Sequence, residues 1–519
     1  MRTLNTTFLA TAGIWMSFAV PFEVRPTHYF NHYQTHLVLC DYASAGNGWN
    51  SDNRLRVWLP QPLFLRQAFP ADTWRLMCPG LKECPTIPKS AEEEEGSGQP
   101  TAAMPQVNLT IAGDWSVEVK VAARDGVQPL TRTLAVAKPT AVSVAKEQYA
   151  SLDAWNVGQP GWARRKLLGL EDGICSSRFA LVPGTVSVAP ANEPTARFRL
   201  DEDFKVDLEW GAIGRIPEGA IGPTQAVVVS YQFTKRRLDS VVLNRAGQLE
   251  LRQGEPHLSM PVPPLLTAGE LRVANVFVPE NLKQLGPANL FPILETRFPE
   301  PPKPSPSEAE RRLPRTMAKL RNGEPLKLLA WGDSVTQGYL GEDQWQNQLV
   351  RRLQQRFPSA RIELVTVGWG GHNSQDFLDA PPGHVRNFAE SVLAAKPDLV
   401  ISEFVNDVPL DASKVEQNYR RFLADFRAIG AEWVILTPHY STFMNWPSER
   451  DLDDDPRPYV QMLRRFTREQ EVALADAAAR YGRLWRQGIP YSTLMVNACN
   501  HPDARGMAIF ADSLMALFP

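Results

Sequence analysis

A serine set between glycines at the end of an apolar run is the first group in this chain with chemistry to offer. The stretch Trp331-Gly332-Asp333-Ser334-Val335-Thr336-Gln337-Gly338 follows the apolar run Leu326 to Trp331 and precedes helical spacing at Trp345, Leu349 and Leu353. A strand, a tight turn and a helix N-terminus would expose the hydroxyl and aim free backbone N–H groups at incoming negative charge. Taken alone, Gly-Asp-Ser is one of many turn tripeptides. It does not stand alone, because Gly368-Trp369-Gly370-Gly371 follows a second apolar run, Val405-Asn406-Asp407 a third, and Asn500-His501-Pro502 lies near the C-terminus. Acyl transfer needs a nucleophile, a base within hydrogen-bond reach and donors for the developing oxyanion. Ser334 is the candidate nucleophile, and His501, in a His-Pro loop opening the last helix, is the candidate base, since an ordinary imidazole titrates near neutrality.

The order of these four segments resembles the SGNH branch of the GDSL hydrolases, whose four sequence blocks contribute Ser, Gly, Asn and His. The resemblance covers residues 313–519. It implies that the Ser334 N–H is one oxyanion donor, that Gly371 supplies a second, with Gly370 one residue away, and that the Asn406 side-chain amide supplies a third. Two departures stand out. The family's second block reads Asn-x-Gly-x-x-Gly, and its first position here is Thr366; the Asp usually found three residues before the histidine is replaced by Ala498. A Ser–His dyad is therefore expected, with the imidazole held by a carbonyl, an amide or a distant acid. Asn497 and Asn500 are the nearby polar candidates, whereas period two places Glu403 on the strand face opposite Asn406. Asp407 is expected to be structural. His372 and His439 fall at the same sheet edge, where each could contact substrate or serve packing alone.

The elements that must position these groups follow from periodicity. After Pro299-Glu300-Pro301-Pro302-Lys303-Pro304-Ser305-Pro306, which can sustain neither ladder nor helix, strands are expected at Leu326 to Trp331, Ile362 to Val367, Leu399 to Phe404, Trp433 to Thr437 and Val472 to Asp476. Helical stretches lie between them at 345–356, 385–396, 414–429 and 458–470, with a last one over 503–517. Strict alternation predicts an α/β fold: a five-stranded parallel sheet covered on both faces, with a site at the carboxyl ends of its strands. The family resemblance makes this the flavodoxin-like α/β/α sandwich. Upstream, period-two alternation at Val107 to Val121, Phe204 to Trp210, Val227 to Phe233, Val241 to Leu251 and Leu271 to Val278 predicts a β-sandwich or two small β-units, with Trp115 and Trp210 in the core.

Domains are thus expected at 101–297 (β-rich) and 313–519 (hydrolase-like), joined by the proline-rich 298–312. Residues 1–100 form a poorly defined segment ending in an acidic, Gly/Ser-containing linker. Within it His28, His32 and His36 would share a helix face, although the aromatic residues around them favour a loop or packed patch over a metal site, and Phe8 to Val20 has a weak signal-like character that leaves export open.

Five cysteines without metal-ligand spacing argue against a disulfide framework, and 55 basic against 57 acidic side chains leave a net charge of −2 that favours no nucleic-acid partner. No apolar run reaches the roughly 18 residues of a membrane span. The acidic loop Asp451, Asp453, Asp454 and Asp455 is expected to be a solvated face. The expected activity is hydrolysis of small acyl esters, O-acetyl groups on carbohydrate above all, without metal or cofactor. A lipase or thioesterase of the same superfamily, or an impaired relative that only binds glycans, are the alternatives.

Overall fold

The computed structural model describes residues 105–122, 129–171, 178–442 and 449–519, together with four short strands nearer the N-terminus: β1 (Glu23–Val24), β2 (Thr35–Leu37), β3 (Cys40–Asp41) and β4 (Trp58–Pro60). The chain divides into two compact units, Met1–Ala102 and Ala103–Pro519. In the first, β1 pairs antiparallel with β3 and β2 with β4. His36 is therefore in a strand rather than on a helix; His28, His32 and the signal-like segment lie outside the described residues.

The second unit opens with antiparallel sheets. Strands β5 (Val107–Gly113), β6 (Ser116–Val121) and β7 (Leu130–Ala135) form a meander, and β13 (Arg237–Leu243), β14 (Leu249–Arg252), β15 (Leu271–Val278) and β16 (Leu290–Pro292) form a sheet in the order β14-β13-β15-β16. Their inward residues, among them Val117, Val119, Val241, Val273 and Val276, make one core. A second core joins β8 (Ala141–Tyr149), β9 (Ser187–Pro190) and β12 (Val227–Thr234), in the order β8-β12-β9, to the hairpin of β10 (Phe204–Asp207) and β11 (Ala212–Arg215). The outcome is two small β-units. Trp210 is buried and Trp115 partly so.

The expected parallel sheet follows, in the order β18-β17-β19-β20-β21: β17 (Pro325–Gly332), β18 (Arg361–Gly368), β19 (Leu399–Glu403), β20 (Glu432–Leu436) and β21 (Ala473–Ala475), every pairing parallel. The inner strands β17, β19 and β20 are near-continuous apolar runs because both faces are covered, whereas the edge strand β18 leaves Arg361, Glu363 and Thr366 exposed. Leu326, Leu328 and Ala330 feed a core shared with helices Trp345–Arg356 and Ala504–Met515, while Leu329 and Trp331 feed the opposite one with helices Ala412–Ile429 and Pro458–Gln470. One expected helix is shorter than its periodicity predicted. Of 385–396 only the wide turn Ala389–Leu393 forms; Pro381 and Pro382 precede it, and Lys396 at φ 47° ends it.

Trp331 is the hinge between core and site. It is fully buried, with its ring 4.8 to 6.1 Å from those of Phe377, Phe388, Phe404, Phe422 and Phe426, and the residue after it begins the serine turn. Trp331→Ala is expected to cost about 3–5 kcal/mol, read as a lower urea midpoint at unchanged m.

The proline-rich stretch forms neither strand nor helix, yet it is fastened: Arg480 holds Glu300 through two bonds, 2.5 and 2.9 Å, and Lys303 donates to the Phe518 carbonyl at 2.9 Å. The β-units also reach two segments near His501, the one that leads to it and the one after β20. Asn275 Nδ2 donates to the Gly488 carbonyl (2.7 Å), Arg236 to the Ser492 carbonyl (3.0 Å) and Arg178 to the Thr442 carbonyl (3.0 Å).

Candidate active site

Gly332 is needed where β17 turns. A Cβ there would lie 2.2 Å from the Glu403 carbonyl oxygen and 2.4 Å from Thr336 Oγ1, so any side chain would force the turn away from β19. Asp333 then caps the short helix Ser334–Gln337 by accepting from the Val335 N–H at 3.0 Å, and its other oxygen accepts the Asn406 N–H at 3.0 Å. This one carboxylate ties the serine turn to the asparagine turn. Asp407 does the same one step further out, accepting from the Ser374 N–H (2.8 Å) and the Tyr419 hydroxyl (3.2 Å). Both acids are fully buried. Burial pushes Asp333 up to about 7, with the Asp407 charge adding to the shift, and Asp407 up to about 6; burial also holds Glu403 well above the carboxylate range.

Across the sheet edge, His501 Nε2 lies 2.9 Å from Ser334 Oγ. The residues expected to be nucleophile and base are therefore in direct contact although 167 positions separate them. The other ring nitrogen, Nδ1, is buried and has no hydrogen-bond partner among the described residues, so among them neither Glu403 nor another acid orients the imidazole. Burial lowers the His501 pKa to about 4.

What holds the ring is a framework around it. The Tyr339 ring stacks on it with centroids 4.8 Å apart and planes at 29°, and the Tyr339 hydroxyl donates to the Pro502 carbonyl at 2.9 Å. Asn497 Oδ1 accepts the N–H groups of Cys499, Asn500 and His501 at 3.1, 2.9 and 2.9 Å, while Asn497 Nδ2 donates to Asn500 Oδ1 at 2.7 Å. The two asparagines thus fix the loop backbone and leave the imidazole itself alone. Ala498, at the usual acid position, sits at φ 55° and is buried.

His439 differs from the expectation that it could meet substrate. It is fully buried and its Nε2 lies 2.7 Å from the Asn500 carbonyl oxygen, to which it must donate; burial lowers its pKa to about 3. His372 is partly exposed, stacked on Trp369 at 3.8 Å between centroids, with Nδ1 3.2 Å from Asp376. Sequence reasoning missed Tyr339 altogether. An aromatic five residues after the serine gave no pattern to find, because its role depends on a loop 160 residues away.

Gly370 and Gly371 differ in the partners of their N–H groups. The Gly370 N–H donates to Gln337 Oε1 at 2.7 Å, whereas the Gly371 N–H, like that of Ser334, has no partner among the described residues. Gly371 has φ 78°, a left-handed conformation that favours glycine. Asn406 Nδ2 donates to the His372 carbonyl at 3.1 Å, which leaves one of its two hydrogens for a ligand.

Residues 330–509 match the model of the GDSL-like lipase/acylhydrolase family. The C-terminal region belongs to the SGNH/GDSL superfamily. Solved structures similar to this chain include a two-domain esterase (CEX) active on acetylated mannans (22% identity, TM-score 0.33, covering 40% of this chain and 52% of that one). An acetyl xylan esterase, AlAXEase, is similar at 20% identity and TM-score 0.31, over 37% of this chain and 98% of that one; a putative lipolytic protein of the G-D-S-L family from Desulfitobacterium hafniense DCB-2 is similar at 18% and 0.27, over 37% and 99%. The chain spans about half the length of the first of these structures. No curated protein matches. Among the described residues no group of His, Cys, Asp and Glu is arranged to hold a metal ion, and no helix is long and apolar enough to cross a membrane.

If the Asn406 amide meets an oxyanion, as the family resemblance implies, Asn406→Ala removes that donor and leaves the serine–histidine pair in place. The expected loss in kcat is about 10²–10³-fold on p-nitrophenyl acetate, with KM little changed.

Proposed function

We propose that this protein is a serine esterase that removes small acyl groups, acetyl in particular, from a carbohydrate through an acyl-enzyme on Ser334. The observation that carries the reading is the 2.9 Å contact of Ser334 Oγ with His501 Nε2, together with N–H groups of Ser334 and Gly371 that have no partner among the described residues. In this reading His501 takes the serine proton as Oγ attacks the ester carbonyl. The oxyanion is held by the N–H groups of Ser334 and Gly371 and the amide of Asn406. His501 then returns its proton to the leaving alcohol, and a water activated by the same imidazole releases the acid. No step needs a metal or an organic cofactor. The carbohydrate preference is supported by the family resemblance and by the β-units fastened next to the histidine loop.

A second reading, a glycan-binding relative with impaired catalysis, is favoured by the unpartnered Nδ1 of His501 and by Ala498. One comparison separates these. Turnover of p-nitrophenyl acetate well above p-nitrophenyl octanoate, with acetate released from acetylated xylan or glucomannan, is the expected result. A preference for octanoate would move the protein to the lipase or thioesterase alternative, and no turnover of any ester would favour the binding protein.

A further inference from the structure

Two large aromatic side chains stand out from the surface of the second β-unit. Trp162 is 54% exposed and Phe179 is 55% exposed, in a unit whose other large rings are mostly covered. Single exposed apolar residues are ordinary. Trp162 adjoins Gly161 and Phe179 adjoins Arg178, and a chain of contacts leads from these two neighbours to the histidine loop.

Trp162 follows Gly161, which is packed directly on the buried Trp210: a Cβ on Gly161 would meet Trp210 Cδ1 at 2.2 Å and Asp207 Oδ2 at 2.6 Å. The Arg178 guanidinium lies 5.1 Å from the Trp210 ring centroid and 5.1 Å from that of Phe179. Arg178 also pairs with Glu209 (2.5 Å) and reaches the Thr442 carbonyl and Oγ1 at 3.0 and 3.3 Å. Thr442 in turn donates its N–H to the Cys499 carbonyl (2.9 Å) and its hydroxyl to the carbonyls of Ala498 and Cys499 (3.2 and 3.1 Å). The path therefore runs from Gly161, the neighbour of Trp162, through Trp210 and Arg178, with Phe179 beside Arg178, to the turn that begins three residues before His501.

Phe179 carries a second signal. Its φ is 59°, a conformation that a bulky residue rarely adopts, and it is locked there from both sides. Its N–H donates to the Glu209 carbonyl (2.7 Å), and its carbonyl accepts from Asn281 Nδ2 (2.7 Å). A strained backbone that holds an apolar ring out in solvent contributes nothing to the core, and such strain gathers at ligand-contacting positions.

We propose that Trp162 and Phe179 form a binding track for the glycan chain whose ester is placed at Ser334. The occupant follows from the chemistry beside the rings. The apolar C–H face of a pyranose lies on an aromatic ring, while its hydroxyls need donors and acceptors at the ring margin, which the Arg178–Glu209 and Arg164–Asp207 pairs provide. A lipid chain would be met by charge on the same strip, and a flat apolar protein partner likewise. The track rests on the esterase reading for its purpose, and it adds that the β-unit contributes directly to polymer recognition.

The test uses the full chain with Trp162→Ala, Phe179→Ala and the double variant, with urea unfolding to verify that each is folded. Turnover of p-nitrophenyl acetate is expected to stay at the wild-type level, because neither ring belongs to the reacting groups. On acetylated xylan or acetylated glucomannan the double variant is expected to lose about tenfold in kcat/KM, the loss falling in KM. Retardation of the wild type in gels containing the deacetylated polymers, weakened in the double variant, reads the track without any turnover. It therefore separates failure of the track from failure of the esterase reading. Equal losses on the small ester and the polymer in folded variants, or variants indistinguishable from wild type both on polymer and in the gels, would overturn the proposal.

Discussion

Ser334→Ala is expected to lower kcat/KM on p-nitrophenyl acetate by at least about 10³-fold while leaving the fold intact. The magnitude follows from what remains. The uncommitted N–H of Gly371 and the Asn406 amide would still receive a carbonyl oxygen, and His501 could still activate water, so some turnover over the solvent reaction survives. What is lost is the covalent intermediate that divides the reaction into two easier steps. Ser334 is half-buried at the start of a helix whose cap is Asp333, and its hydroxyl has no packing role in either core. An urea midpoint equal to that of the wild type is therefore part of the expected result, and a large drop in midpoint would mean that the loss of rate had another origin.

The second large effect belongs to His501. His501→Ala is expected to cost about 10²–10⁴-fold, since the serine proton then has no acceptor within reach. The wild-type pH profile carries the same information without a mutation. Only the neutral imidazole can accept the proton, and burial lowers its pKa to about 4. Raising the pH through about 4 therefore converts the inactive cation into the base, and kcat/KM should rise there and stay level through neutrality. An ordinary imidazole would give the rise near 6.5. A carboxylate at Nδ1 would stabilise the cation and move the rise upward, so a midpoint near neutrality would mean that an acid reaches Nδ1 in solution after all. The low midpoint is the signature of a buried base with no acid at Nδ1 among the described residues.

Much of this was legible in the sequence, and the reasons are local. The five strands of the parallel sheet are runs rich in apolar residues bounded by turns, a pattern that needs no tertiary information, and the observed bounds differ from expectation by a residue or two. The β-units were less legible. Strands such as Leu130–Ala135 and Ala141–Tyr149 bury few side chains, so their alternation carries little contrast. For the site, the types and order of Ser334, Gly371, Asn406 and His501 followed from motif resemblance. The support for the imidazole did not, because Tyr339 and His439 act through carbonyls on a loop distant in sequence. His439 reads as a possible substrate contact from its place after β20, but the loop carrying Asn500 closes over it. A proline run reads as a linker whether it hangs free or is pinned, and only the bonds from Arg480 and Lys303 distinguish the two.

The most direct measurement is the intact mass of the protein after exposure to a fluorophosphonate, followed by peptide mapping. An activated serine forms a single stable adduct, and an unactivated one does not. One adduct is expected on Ser334 in the wild type, formed far more slowly in His501→Ala and absent from Ser334→Ala. A wild-type protein that stays unlabelled, or that carries its adduct on a different residue, would contradict it.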